Sequence, residues 1–353
     1  MSKIKGWVKV RLAIWTSFKQ YLFHYLHGMK WILSLLTCTA LFTSCDNELV
    51  VTDNWKDIPV VWALLNKSDT AHYIRLEKAF LDPNTSALDI AQRPDSLYYE
   101  NATVSLKRVN NGQVFQLQRV NGDLEGYPRD GGVFAQTPNW LYKIKANVIN
   151  LVIGEKYELV VDRGDGSPVV TAETIILPKP VLRNPVKGSQ LSFKRGSLFT
   201  IMWNEMPDAG IFDVKIRFHY QERNPVTGNF YIPKSFEWTV VKNLRANETQ
   251  MQGVDFYNQI KANLDVNVES TRIFDSLDII IWAGGKDLEE YIRITQANFG
   301  ITSTQDIPRY TNLSEGVGIF DSRNVSYVTG FRLGAVSLDS LRNSSITGNL
   351  NFQ

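Results

Sequence analysis

The stretch LVIGEKYELVV, residues 151–161, carries the clearest architectural signal in this chain. Tyr157, Leu159 and Val161 fall on one side of an extended segment, because successive side chains of a strand point to opposite faces. Gly154 stands just before the run and marks a turn. A tyrosine at such a position packs its ring in the core while its hydroxyl bonds to nearby backbone. The stretch therefore predicts a corner at which the chain enters a core strand of a β-sandwich.

The surrounding sequence shows short strand patterns separated by turns. ATVSLKRV (102–109) and VFQLQRV (114–120) are joined by Asn-Asn-Gly at 110–112, which predicts a β-hairpin. KYELVVDRGDGSPVVTAETIIL (156–177) predicts a second hairpin, with its turn at 164–166. Short strands with turn signals at regular intervals are typical of a β-sandwich. We therefore predict a mainly β fold with two immunoglobulin/fibronectin-like β-sandwich domains.

A proline-rich stretch separates the two predicted domains. LPKPVLRNPVKG (177–188) contains three prolines, which remove ladder donors and stiffen the chain as an interdomain linker requires. Trp203 beyond it resembles the core tryptophan of fibronectin-type sandwiches. Segments 255–264 and 287–299 carry apolar residues at helical spacing and predict short helices that cover a sheet. The predicted organisation is an N-terminal immunoglobulin-like domain (58–178), a linker (179–188) and a C-terminal fibronectin-like domain with short helices (189–353).

The start of the chain predicts export. Met29 and Lys30 precede the apolar run WILSLLTCTALF, and small residues lead from it to Cys45. One positive charge, about a dozen apolar residues and small residues before the cleavage site are typical of a secretory signal. The run is shorter than the roughly 20 residues that span a bilayer. LFTSC resembles a lipobox, with Phe42 where leucine is usual, so we expect Cys45 to be lipidated; an ordinary signal peptide with a chance cysteine is the alternative.

The expected signal region is residues 1–45, and a linker (46–57) follows it. Residues 1–28 are basic and aromatic, without any acid. They form either a long amphipathic segment on the inner leaflet or an upstream extension of a chain that begins at Met29. Asp46 and Glu48 resemble the acidic export tags of surface lipoproteins. This favours an outer-membrane protein that faces the outside of the cell.

The cysteine count and the charge exclude several function classes. Residues 46–353 contain no cysteine, which rules out disulfides, a thiolate nucleophile and cysteine-ligated metals there. The same residues carry 32 Lys and Arg against 36 Asp and Glu, a net charge of −4. No basic stripe remains to neutralise phosphates, so we do not expect a nucleic-acid partner.

A family resemblance rests on three further stretches. IPVVWALLNKSDTAHYIRL (58–76) has the pattern of a first hairpin, and SLDIIIWAGGKDLEEYIRITQANFG (276–300) that of a strand with a tyrosine-bearing helix. YTNLSEGVGIFDSR (310–323) contains an Asn-x-x-x-Gly-x-Gly-x-Phe motif, formed by Asn312, Gly316, Gly318 and Phe320. Together they resemble the domain-of-unknown-function 4249 family of Bacteroidetes outer-membrane lipoproteins. The resemblance implies association with a TonB-dependent receptor in nutrient or glycan capture, and it supplies no catalytic residues.

The sequence offers little catalytic equipment. Residues 46–353 contain two histidines, His72 and His219, both in strand patterns, and no zinc-protease, serine-hydrolase or nucleotide-loop spacing. Gly316 and Gly318 precede a strand rather than the helix of a phosphate loop, so we interpret them as a tight turn onto a sheet. We expect neither enzyme activity nor a cofactor.

Three sets of residues are candidates for contacts or modification. Exposed aromatic residues would bind a glycan, and the candidates in loop-like sequence are Trp55, Tyr98, Tyr99, Tyr127 and Trp140. Closely spaced oxygens suit calcium, which makes Asp162, Asp165 and Ser167 weak candidates, although a plain hairpin turn explains them as well. Asp-Ser or Asp-Thr triplets match a loose O-glycosylation signal at Thr70, Ser96, Ser276 and Ser340.

These observations favour a surface-exposed, lipid-anchored, non-catalytic binding or accessory protein, associated with a TonB-dependent receptor in nutrient or glycan capture. The first alternative is a structural subunit of a surface fibre or adhesin, which would need an edge strand open to a neighbouring chain. The second alternative is a hydrolase with an unrecognised site.

Lipidation at Cys45 is tested by metabolic labelling. Cells fed labelled palmitate should incorporate the label into the wild-type protein, and Cys45→Ser should abolish it and release the protein from the membrane. Ser44→Ala is the matched control, because it changes the neighbouring side chain and keeps the thiol. Unlabelled wild-type protein would contradict the prediction.

Overall fold

A computed structural model describes residues 57–79, 86–224, 226, 228, 230–267, 269–297 and 309–353. These described residues belong to one compact unit. The predicted signal region, Cys45, Trp55 and nearly all of the linker at 46–57 lie outside the described residues.

The described residues form sixteen strands. The strands are β1 (Ile58–Leu65), β2 (Ala71–Ala79), β3 (Thr103–Arg108), β4 (Val114–Gln116), β5 (Gln118–Asn121), β6 (Trp140–Lys145), β7 (Lys156–Asp162), β8 (Val170–Ile175), β9 (Leu182–Asn184), β10 (Gln190–Leu191), β11 (Leu198–Trp203), β12 (Ala209–Arg223), β13 (Ile232–Leu244), β14 (Glu248–Gln252), β15 (Thr271–Gly285) and β16 (Val317–Leu333).

Short helices interrupt the strands. The α-helices among the described residues are α1 (Ala87–Ala91), α2 (Pro94–Leu97), α3 (Ala146–Ile149), α4 (Gly253–Asn263), α5 (Lys286–Ala297) and α6 (Ala335–Asn343). Single 3-10 turns lie at Gly122–Glu125 and Gly348–Leu350. None of the described helices is both long and apolar enough to cross a membrane.

One nine-stranded sheet runs through both halves of the described chain. Its strand order is β13-β12-β15-β16-β1-β2-β6-β5, and β10 pairs with the end of β16. Strand β16 belongs to both halves. Its residues 317–322 pair in parallel with 60–65 of β1, and its residues 323–331 pair antiparallel with 277–284 of β15. The halves therefore share a strand.

Each half closes a sandwich against the same side of this sheet. A four-stranded sheet, β4-β3-β7-β8, covers the first core, and a three-stranded sheet, β14-β11-β9, covers the second together with α4 and α6. Val61, Ile74 and Leu159 are fully buried in the first core, and Ile216 and Phe256 are 0–1% exposed in the second. The predicted mainly β fold class with β-sandwich architecture is confirmed.

The corner predicted from residues 151–161 is present. Tyr157 is fully buried on β7, and its hydroxyl accepts a hydrogen bond from the backbone N–H of Val152 at 3.1 Å. The Arg108 guanidinium donates a second bond to the same oxygen at 3.0 Å. Gly154 has a φ of 81°, which suits the turn that precedes the strand. The ring and the hydroxyl thus have the two roles that the sequence predicted.

The predicted core of the second half is also confirmed. Trp203 is 1% exposed, and its ring packs against Phe212 at a centroid distance of 5.1 Å. The helix predicted at 255–264 is α4, which buries Phe256 and Ile260. The helix predicted at 287–299 is α5 (Lys286–Ala297), and residues 298 and 299 lie outside the described residues.

Two segments differ from the prediction. The strand predicted at 114–120 divides at the buried Leu117, because β4 pairs with β3 while β5 pairs with β6 of the large sheet. The proline-rich segment contains β9, whose Leu182 pairs with Trp203. In addition, Leu313 and Phe320, from the predicted second domain, pack in the first core.

Two glycines allow β16 to approach β1. Gly316 and Gly318 have φ values of 97° and 125°. A Cβ on Gly318 would lie 1.9 Å from the carbonyl oxygen of Val61, and one on Gly316 would lie 2.2 Å from that of Pro59. Asn312 supports the same strand, because its amide donates to the Phe320 carbonyl at 2.7 Å and its oxygen accepts from the Phe320 N–H at 3.0 Å. The motif is therefore a device for parallel strand pairing.

A buried carboxylate ties three elements together one residue later. Asp321 accepts hydrogen bonds from the Thr174 hydroxyl at 2.9 Å, the Leu288 N–H at 2.7 Å and the Ser322 N–H at 2.7 Å. Burial raises the pKa of Asp321, and these donors act in the opposite direction. Gly285 lies against the carboxylate, since a Cβ there would lie 2.0 Å from Oδ1. The carboxylate joins β8, β16 and the start of α5.

Gly318→Ala tests the contact between β16 and β1. We expect it to lower the free energy of unfolding by about 3 kcal/mol or more, since the new Cβ adds a backbone clash to an unfavourable φ. Gly330→Ala, in the same strand with a φ of 82° and open space around the site, isolates the conformational cost, about 1 kcal/mol. Equal losses for the two variants in urea denaturation would contradict the account.

Candidate functional site

A groove of about 410 Å³ lies on the face of the large sheet that points away from the two cores, here called the back face. Leu64 of β1, Tyr73 and Arg75 of β2 and Arg323 of β16 line it, and Tyr127 closes one side from the loop after β5. Nearly all of the lining therefore belongs to the first sandwich, and Arg323 adds a side chain from the strand that the two sandwiches share.

Strand alternation places these side chains on the back face. On β2, Ile74 and Leu76 are at most 1% exposed in the first core, whereas Tyr73 and Arg75 are partly exposed on the opposite side. His72 is 3% exposed, and its pKa is lowered by burial. The histidine on this strand is thus a core residue.

Two tyrosine rings form one wall of the groove. The rings of Tyr73 and Tyr127 have their centroids 4.8 Å apart and an interplanar angle of 57°. The Tyr73 hydroxyl donates to Glu125 at 3.1 Å, and its pKa is raised by burial and by this carboxylate. Asn139 donates its amide to the Tyr127 carbonyl at 2.7 Å, which fixes the loop. Tyr127 is 54% exposed and presents a ring surface to solvent.

The other walls carry positive charge. Arg75 donates to Oε1 of Glu77 at 2.8 Å, and Arg129 binds the same oxygen, so two cations share one carboxylate. Burial lowers the pKa of Arg75, and burial and then the nearby Arg75 lower the pKa of Arg129. Arg323 lies 3.7 Å from Asp69, a long and partly exposed ion pair. The groove thus combines an aromatic surface with guanidinium groups.

The structure distributes the predicted aromatic candidates among different environments. Tyr127 lies in the groove. Trp140 is half-buried on β6, where the Arg119 guanidinium covers its ring at 4.6 Å from the centroid. Trp140 packs against a small cluster that contains Leu97 and Tyr98, apart from the groove lining. Trp55 lies outside the described residues.

Tyr98 and Tyr99 are not exposed aromatics, which corrects the prediction. They are 3% and 4% exposed, and Tyr98 packs in a small cluster with Leu97, Ala135 and Trp140. Tyr99 packs in the first core, and its hydroxyl donates to Asp57 at 3.0 Å. Burial, and then the Asp57 charge, raise the pKa of Tyr99. Neither ring is free to stack on a ligand.

The weak calcium candidates lie in a turn. Asp162 accepts from the Gly164 N–H and Asp165 from the Ser167 N–H, both at 2.9 Å, which are the hydrogen bonds of a tight hairpin. In the described part of the chain, no three His, Cys, Asp or Glu side chains gather closely enough to hold a metal ion.

The O-glycosylation candidates occupy three kinds of position. Thr70 is exposed in the turn between β1 and β2, at the edge of the groove. Ser96 and Ser340 are half-buried within α2 and α6, and Ser276 is half-buried within β15. Of the four, only Thr70 lies on an exposed turn.

A histidine–aspartate pair bears on the hydrolase alternative, and it lies on the large sheet. Nε2 of His219 is 2.7 Å from Oδ2 of Asp278. Ser235 and Ser276 pair with His219 on the neighbouring strands. No described hydrogen bond joins either serine to the imidazole. A base of a serine hydrolase would need that bond.

Sequence reasoning missed most of the groove. The alternation in AHYIRLEKAFL places Tyr73, Arg75 and Glu77 on one face of a strand, which is the signal that the sequence offers. Arg323 carries no such signal, since its place in the groove follows from the long-range pairing of β16 with β1.

The fold defines a protein of two β-sandwich cores joined by a common sheet. The chain matches the model of the family described as Domain of unknown function (DUF4249) over residues 48–327, and it belongs to this family. A comparison with curated proteins finds no match.

Two solved structures show low similarity. The C-terminal globular domain of an oligosaccharyltransferase from Pyrococcus abyssi has 12% identity and a TM-score of 0.19, over 78% of this chain and 48% of that one. The chicken CNTN1 FN1–FN3 domains have 10% identity and a TM-score of 0.17, over 78% of this chain and 65% of that one. The chain covers less than two thirds of either structure.

Tyr99→Phe tests the reassignment of the buried tyrosines. It removes the bond to Asp57 and should lower the free energy of unfolding by about 1 kcal/mol. Tyr127→Phe, at the exposed position, should change it by less than about 0.5 kcal/mol. The measurement is urea denaturation. Unchanged stability of Tyr99→Phe, together with weakened saccharide binding, would restore Tyr99 as a ligand contact.

Proposed function

We propose that the protein is a surface-exposed, lipid-anchored, non-catalytic binding protein that captures a saccharide in the groove on the back face. The observation that carries the proposal is the tyrosine pair Tyr73–Tyr127 in a groove of about 410 Å³. Ligand sites in proteins usually occupy about 300–1,000 Å³ and combine apolar surface with a few placed polar groups.

The chemistry of the wall suits a sugar ring. One face of a pyranose is rich in C–H groups, and it packs on an aromatic ring as other apolar surface does, while the hydroxyls need hydrogen-bonding groups around the rim. Tyr127 offers the exposed ring, and Asp69, Arg75 and Arg323 offer polar groups beside it. Glu125 holds the Tyr73 ring through its hydroxyl, and Asn139 fixes the backbone of the loop that carries Tyr127, so little ordering is needed on binding.

The sequence and the family resemblance support a proposal for the cellular setting. We place the protein in the outer membrane, anchored through Cys45 and facing outside, as an accessory to a TonB-dependent receptor that takes up the captured nutrient. Support comes from the lipobox-like LFTSC and the acidic residues after it. Cross-linking in intact cells followed by purification tests the partnership, and failure to recover any such receptor would contradict it.

A fibre subunit needs an edge strand that can pair with a neighbouring chain. Strand β13 ends the large sheet and is the longest candidate. It carries Pro233, Lys234 and Lys242, and Asn243 has a φ of 55° beside a register shift. Proline, lysine and bulges on an edge oppose pairing with another strand. These features favour capture over polymerisation.

The capture function is tested by substituting Tyr127. Isothermal titration of the full chain in detergent with a panel of neutral and acidic oligosaccharides should detect binding, and Tyr127→Ala should weaken it about tenfold, or about 1.4 kcal/mol. Trp140→Ala should have little effect on affinity, because Arg119 covers that ring. Phe230→Ala, at an 85% exposed aromatic, is the control. Binding that depends on Trp140 and not on Tyr127 would contradict the assignment.

A further inference from the structure

We infer that the groove is selective for an acidic saccharide, a sugar that carries a carboxylate or a sulfate, over a neutral one. The inference rests on the proposed function and names the ligand class of the same site. It follows from the charges in and behind the groove, from the geometry of its two arginines and from the exposed face of Tyr127.

The groove holds an excess of positive charge. Its own lining contains Arg75, Arg323 and Asp69, with His72 as a buried core residue. Asp69 balances Arg323 at 3.7 Å. That leaves Arg75 as a surplus cation within the lining, although the surrounding residues 46–353 carry a net charge of −4.

The charges behind the lining do not remove this excess. Glu77 is shared by Arg75 and Arg129, which gives two cations for one anion. Lys143 and Glu125 form a balanced pair beneath Tyr73. Arg75 and Arg129 are also partly removed from water, and burial lowers the pKa of each. A buried excess cation is costly, so an incoming anion would relieve an existing imbalance.

The two groove arginines have donors to spare. Arg75 uses Nη1 for Glu77, one of the five N–H donors of a guanidinium. Arg323 lies over the Trp282 ring at 5.6 Å from the centroid, which orients its plane. Guanidinium groups bind carboxylate and sulfate oxygens through paired, charge-assisted bonds, so both arginines suit an acidic sugar.

A ligand can displace the ion pair between Arg323 and Asp69. Both side chains are more than a third exposed, at 39% and 37%, and pairs of this kind contribute little to stability. Asp69 also accepts a bond from the Asn66 amide at 2.9 Å, which holds the carboxylate in the turn when Arg323 turns to an anion. After the exchange, Asp69 keeps the hydrogen bond from Asn66 and remains partly exposed to water.

A nucleotide also combines a flat ring with an anion, but the groove is built differently from a phosphate site. Phosphates are commonly bound by backbone N–H groups at helix N-termini or glycine-rich loops. The described lining consists of strand side chains, the turn at 69–70 and Tyr127, and no helix begins in it. A sugar acid on Tyr127 fits this arrangement better.

Titration calorimetry of the full chain in detergent tests the inference with three probes. The probes are trigalacturonate, its methyl ester and adenosine monophosphate. The ester has nearly the size of trigalacturonate and lacks its negative charge. Adenosine monophosphate carries negative charge on a different kind of molecule. We expect trigalacturonate to bind about tenfold or more tightly than the ester at low salt, and this difference should shrink in 0.5 M salt, roughly the range in which exposed charges are screened.

Three variants locate the charge effect. Arg75→Gln and Arg323→Gln should each weaken trigalacturonate binding about tenfold. They should weaken binding of the ester by a clearly smaller factor, because the ester lacks the carboxylate that pairs with a guanidinium. Arg217→Gln is the matched control, because Arg217 is similarly exposed on the same sheet and pairs with Glu237 at 3.1 Å. Circular dichroism confirms the fold of each variant, and the separate positions of the two arginines on β2 and β16 provide two independent tests.

The outcomes separate the inference from the proposed function. Equal affinity for trigalacturonate and its ester, with loss of both in Tyr127→Ala, would overturn acid selectivity and leave saccharide capture in place. Tighter binding of adenosine monophosphate would overturn the saccharide class. Binding of none of the three would overturn the inference, and failure of the wider oligosaccharide panel would then overturn the function as well.

Discussion

The molecule depends on one backbone contact, the approach of β16 to β1 beside Gly318. The parallel ladder has no room for a side chain there, because a Cβ at that position would lie only 1.9 Å from the Val61 carbonyl oxygen. Asn312 and the buried Asp321 then hold the strand on either side of Phe320. Because β16 continues into its ladder with β15, the register set in the first sandwich extends into the second. Through this shared strand, both cores pack against one continuous sheet.

The same continuity builds the groove. Arg323 is the first residue of β16 beyond the segment paired with β1, and it lines the same groove as Tyr73 and Arg75 of β2. Tyr127 and the other lining residues belong to the first sandwich, and Arg323 comes from the strand that both halves share. Ligand sites occur preferentially where structural units join, since side chains from different elements can converge there. The aromatic wall and the excess of guanidinium groups explain why an acidic saccharide is the proposed ligand.

Local patterns in the sequence predicted much of the fold. Tyr157, Trp203 and the two helices occupy the places that period-two and period-3.6 patterns indicated, because these signals depend on near neighbours. The pairing of β16 with β1 joins residues more than 250 positions apart and has no local signature; Gly318 signalled a turn but not its partner strand. Tyr99 lies in loop-like sequence, and its burial in the first core depends on tertiary packing that local patterns do not show. The place of Arg323 in the groove could not be predicted either, because it depends on the same long-range pairing of β16 with β1.

The most direct test of the proposed site is a crystal structure of the protein bound to trigalacturonate. We expect a sugar ring against Tyr127 and a carboxylate within hydrogen-bond distance of Arg75 or Arg323, with β16 still paired to β1. A sugar bound at Trp140, on the strand edge of β13 or elsewhere outside the groove would contradict this expectation.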